Sequence, residues 1–75
     1  MFFFTVERPP EVWPMISALV AIAVAVTTQC PYCIEVHQRR ARAQGATDAE
    51  IAEAVLVAAA LRAGGAITHG THAMG

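Results

Sequence analysis

Residues 15–26 read MISALVAIAVAV, apolar almost all the way round a helix, in a chain of only 75 residues. Such a helix needs cover on several sides. A chain this size supplies little, since a domain near 60 residues hides only about 60% of the surface its unfolded form exposes. The surplus is general, because 56% of the residues are hydrophobic and 15% are charged. That surface must meet copies of the same chain or a membrane. The run is 12 residues long, whereas a bilayer span takes about 20. The expectation is a homo-oligomer, with no membrane contact.

The rest of the chain reads as helices and turns, without a strand-period segment, so the fold class is all-α: a small helical bundle completed by oligomerisation. One domain covers 1–75. Residues 1–10 form an irregular arm, because Pro9 and Pro10 forbid a helix there, and its phenylalanines suit packing on another subunit. The helical core is 11–70. A first helix is expected from about Glu11 to Val26, with Pro14 in its first turn. Thr27-Thr28-Gln29 breaks it. Pro31 fits the first position of a second helix with Cys30 as its cap or an immediate neighbour, and Gly45 the left-handed position that closes it after Gln44. Thr47-Asp-Ala-Glu50 is a capping box. It opens a third helix expected to run to about Ala63, with Ile51, Ala54, Val55, Ala58 and Leu61 on one stripe, and Gly64-Gly65 ending or kinking it.

Charge excludes one class of partner. Five arginines, no lysine and six acids give a formal net charge of −1. Arg39, Arg40 and Arg42 make too short a cluster for a nucleic-acid footprint and read as a solvated helix face. Ala21-Ile-Ala23 resembles a signal cleavage site, but Glu7, Arg8 and Glu11 leave the preceding segment without positive bias. The expected location is cytoplasmic, where a close cysteine pair is more often catalytic or metal-binding than a structural staple.

The pair in question lies in QCPYCIEVHQ, residues 29–38. At about 100° per residue, Cys30, Cys33, His37 and Ala41 fall on one narrow stripe, with Glu35 opposite. A cysteine in the first turn of a helix meets unpaired N–H groups that favour the thiolate. His37, one turn beyond Cys33, is placed to move a proton. Such a pair can attack a peroxide, form a sulfenic acid and close to a disulfide. An inert core pair is the bland alternative, and the aligned histidine argues against it. Zinc would need His69 or His72 as a fourth ligand, at a spacing tighter than zinc fingers use, with no second cysteine pair. Covalent haem needs histidine directly after the second cysteine, where Ile34 stands. The reading takes no cofactor and no metal.

The stretch Ala21–Gly70 resembles the alkylhydroperoxidase D-like, or carboxymuconolactone decarboxylase, superfamily. The resemblance rests on Cys30-Pro-Tyr-Cys33-x-x-x-His37, on Gly45-Ala-Thr before an acidic helix start, and on Leu61-Arg-Ala-Gly-Gly. It implies an all-helical fold in dimers, trimers or hexamers. In the thiol-bearing branch it implies reduction of a hydroperoxide, with Cys33 as attacking thiol and Cys30 as the resolving thiol that an external dithiol reductant reaches. His37 would serve in the proton relay. One feature departs from the pattern. Members of that branch usually hold a glutamate twelve residues before the first cysteine, and here that position is Ala18. The alternative is therefore a disulfide-exchange or redox-sensing oligomer without peroxide turnover. A third class is a structural helical assembly.

Overall fold

The computed structural model describes residues 13–75, built as α1 (Trp13–Thr28), α2 (Pro31–Ala43), α3 (Asp48–Gly70) and a closing 3-10 turn (Thr71–Met74). No strand occurs among the described residues. The expected arm, and residues 11 and 12 of the expected first helix, lie outside them.

α1 buries Ala18, Ile22 and Ala25, spaced four and three apart, so one stripe faces inward. Its other sides stay open within the chain, with Val20 and Val24 each 56% exposed. α2 and α3 both pack on α1. The innermost contact joins Ala18 and Ile22 of α1 to Ala41 and Ala46, with Met15, Leu19, Val26 and Ile51 around it. Ile22 is its single large, fully buried side chain. Alanines on both helices let the backbones approach closely, at the cost of little buried area.

The turns follow from local chemistry. Gln29 takes the left-handed conformation, φ 60°, letting the Cys30 N–H reach back to the Ala25 carbonyl at 3.4 Å. At the far end of α2, Gly45 has φ 99°. There the Gly45 N–H donates to the Arg42 carbonyl and the Ala46 N–H to the Ala41 carbonyl, each at 3.0 Å. This is a Schellman closure, and its apolar contact is buried Ala46 against buried Ala41. The capping box forms as expected: Glu50 N–H donates to Thr47 Oγ1 at 3.2 Å, and Thr47 N–H to Glu50 Oε1 at 2.8 Å.

α3 departs from expectation at its C-terminal end. It does not end at Ala63 but runs on through Gly64 and Gly65 to Gly70. At 23 residues against 16 for α1, and about 1.5 Å per residue, it outruns the helix it packs on. The expected stripe shows this directly. Ala58 is 4% exposed, but Leu61, one turn later, is 72% exposed.

Candidate active site

The site is built by the break between α1 and α2. Cys30 is the N-cap of α2, with extended backbone, and Pro31 occupies the first helical position. Its sulfur accepts the N–H of Cys33 at 3.3 Å, as a cap serine oxygen would. The two sulfurs are hydrogen-bonded to each other at 2.8 Å. Both cysteines are free thiols and half-buried.

The surroundings of the two sulfurs differ in sign. Cys30 is held below the usual thiol value by the Cys33 side chain first and then by the Cys33 N–H, against an opposing effect of burial, with a lesser contribution from the Tyr32 N–H. Cys33 is pushed up, chiefly by its hydrogen bond to Cys30, then by burial and by the neighbouring charge. The first proton to leave the pair is therefore that of Cys30, and Cys33 keeps the proton the two sulfurs share. The resemblance gives the attack to Cys33, so the reduced pair places its negative charge on the other sulfur.

The rest of the stripe is positioned as its spacing implies. Ala41 is fully buried against α1. His37 is half-buried and opens into a groove of about 520 Å³ between α1 and α2. From α1 the groove takes Ser17, Ala18 and Ala21, and from α2 His37, Arg40 and Gln44. Ala18, the position at which the resemblance expects a glutamate, thus shares a groove with His37. No carboxylate lines that groove among the described residues.

Arg40 and Gln44 are the groove residues that charge counting passed over. The signal was present: at about 100° per residue they fall near 280° and 320° from Cys30, beside His37 near 340°. Arg40 is exposed at the groove's edge, and the other two arginines of the cluster are exposed in ion pairs. Arg39 pairs with Glu35 at 3.9 Å, and Arg42 Nη1 with Asp48 Oδ1 at 2.6 Å. His69 and His72 stack on each other at the end of α3, ring centroids 5.8 Å apart. No group of three or more metal-ligating residues forms among the described residues.

A dithiol at a helix start, with an imidazole one turn on, sits in a small all-helical bundle. Residues 16–74 fit the carboxymuconolactone decarboxylase family, and the chain belongs to that family. It is also 54% identical, over 56 residues, to a protein of Paracoccus denitrificans described as uncharacterized protein 4 in cox locus. That alignment covers 75% of this chain and 50% of the relative, so the chain spans about half of the relative's length. No solved structure matches the chain significantly.

Proposed function

We propose that the chain is a thiol-dependent peroxidase of the alkylhydroperoxidase-like kind, working in the cytoplasm as a homo-oligomer. The observation that carries this is the hydrogen-bonded pair Cys30–Cys33 at the start of α2, with His37 one turn further in the α1–α2 groove. Neither thiol lines the groove itself, so a hydroperoxide held there extends its peroxide end past His37 to Cys33, one turn back along α2. Cys33 sulfur attacks the terminal peroxide oxygen and the O–O bond breaks. The Cys33 proton passes to the Cys30 thiolate beside it, so Cys30 is the base that activates Cys33. The departing alkoxide takes a proton through His37 and leaves as the alcohol. Cys33 is now a sulfenic acid. Cys30 sulfur attacks it, the hydroxyl leaves with the Cys30 proton as water, and a disulfide forms. Two electrons have moved from the sulfurs to the peroxide. A dithiol reductant attacks the disulfide at Cys30, departs as its own disulfide, and restores both thiols.

The groove favours a second reading as well. With Ala18 in place of a carboxylate, no acid among the described residues of the groove holds His37. Proton transfer of this kind is worth roughly 10²–10⁴-fold, so without it the pair would exchange disulfides with a partner and spare peroxide. Hydroperoxide consumption, with a dithiol present, separates the two. The peroxidase reading expects steady turnover in the wild type that Cys33→Ser abolishes. A wild type that forms its disulfide with an oxidised dithiol, yet consumes no peroxide, establishes exchange instead.

A further inference from the structure

The α1–α2 groove has more chemistry than a proton relay uses. Its polar lining is Arg40, His37 and Gln44 from α2 with Ser17 from α1, and its walls are Pro14, Ala18, Ala21 and Ala43. Arg40 is the cation among these four polar groups, and no carboxylate among the described residues answers it. Arg40 stands apart from its neighbours. The Arg39 and Arg42 guanidiniums are spent on Glu35 and Asp48, while Arg40 makes no ion pair among the described residues and borders the groove. A guanidinium beside an amide presents planar, paired donors that suit a carboxylate. The alanine and proline walls suit a hydrocarbon chain. Arg40 is seven residues, two turns, beyond Cys33, which sets the two about 10 Å apart along the helix axis.

We propose that this groove is a binding site for an amphiphilic organic carboxylate, and that the hydroperoxide it serves carries one. Arg40 and Gln44 hold the acid end, the apolar walls hold the chain, and the peroxide end lies toward His37 and Cys33. The assignment of a substrate rests on the peroxidase reading; the binding site itself does not.

The test uses two readouts on the full chain. In the first, octanoate is titrated into the reduced protein and the His37 imidazole resonances are followed, with octanol as the neutral control. Saturable shifts with octanoate, absent with octanol and weakened about tenfold by Arg40→Gln, the size of a charge-assisted hydrogen bond, are expected. Equal response to acid and alcohol, or indifference to Arg40→Gln, overturns the site. In the second, kcat/KM is compared for a medium-chain fatty-acid hydroperoxide and for tert-butyl hydroperoxide. The ratio is expected to favour the acid and to fall about tenfold in Arg40→Gln. Octanoate binding without turnover of either peroxide overturns the peroxidase reading and leaves the site standing. Turnover of both peroxides with one ratio in wild type and variant overturns the substrate and leaves the peroxidase.

Discussion

At the scale of single residues, the two thiols differ first through the hydrogen bond between their side chains, and second because only Cys30 is a cap. Cys30 sulfur receives the Cys33 side chain and the N–H groups that α2 leaves unpaired. Alkylation should therefore show two steps with rising pH. Iodoacetamide labelling of Cys30, read by peptide mass, is expected to reach half-maximum at a lower pH than an ordinary thiol, and labelling of Cys33 at a higher one. In Cys33→Ala the Cys30 step should move upward, because its largest stabilising hydrogen bond, from the Cys33 side chain, is gone. Labelling of both thiols at one common pH would contradict this difference. The consequences for stability oppose each other. A lowered Cys30 adds stability as pH rises from its folded value toward its unfolded one. A raised Cys33 subtracts stability above its unfolded value, because the unfolded thiol ionises first. The net change near pH 8–9 is expected to be small, so reactivity is the better readout. Ala18 offers a second test. Ala18→Glu should raise peroxide turnover, by up to the roughly 10²-fold low end of general acid–base help, and Ala18→Gln should not. Ala18 is only 8% exposed, so both variants must first show wild-type helicity.

At the scale of elements, local sequence was sufficient wherever a terminus is set by its own residues. Cys30-Pro31, Gly45 and the Thr47–Glu50 box were each readable because cap chemistry acts over four residues. Thr47→Ala should cost about 1 kcal/mol, which a thermal melt of a chain this small reads as roughly 4–8 °C. The end of α3 was not readable in the same way. Two adjacent glycines resemble a stop, yet each costs a helix only about 1 kcal/mol relative to alanine, and the surrounding alanines, leucine and arginine carry the helix through. Among the described residues, nothing lies within 4 Å of a Cβ placed at Gly64 or Gly65. In an isolated chain, Gly64→Ala and Gly65→Ala should each stabilise α3 by roughly 0.5–1 kcal/mol, seen as a higher melting temperature. Loss of stability instead would mean that another surface already packs against those glycines. The groove was half readable. The stripe predicted the thiols, His37 and Ala41 on one face, but Arg40 was counted with its charged neighbours when its angle places it beside the histidine.

At the scale of the molecule, the apolar surplus reappears on α3. Together with its closing turn, the segment Asp48–Met74 is 27 residues long, and its most apolar window has a mean hydropathy of 1.6 with 6% of its residues buried. By length and composition this helix could cross a membrane, which the 12-residue run of α1 could not. Arg62 decides between a bilayer and a second copy. It stands near the middle of the segment, where an arginine costs about 2.5–3.5 kcal/mol on insertion scales. At the edge of a protein interface the same side chain lies its stem along apolar surface and keeps its charge in water. Leu56, Leu61 and Ile67, at 64%, 72% and 76% exposed, are then the side chains that pairing would cover. Burying each fully is worth about 1.5–3 kcal/mol, so two copies recover several such contributions along one helix. Sedimentation equilibrium without detergent should show a homo-oligomer that dissociates on dilution. Leu61→Glu should shift it toward monomer and lower its melting temperature, with the thiol labelling order unchanged, since α3 does not contribute to the α1–α2 groove. A wild type that stays soluble and monomeric at high concentration would refute the pairing. A wild type that stays in solution only with detergent or lipid would mean that the helix pays for Arg62 and enters the bilayer.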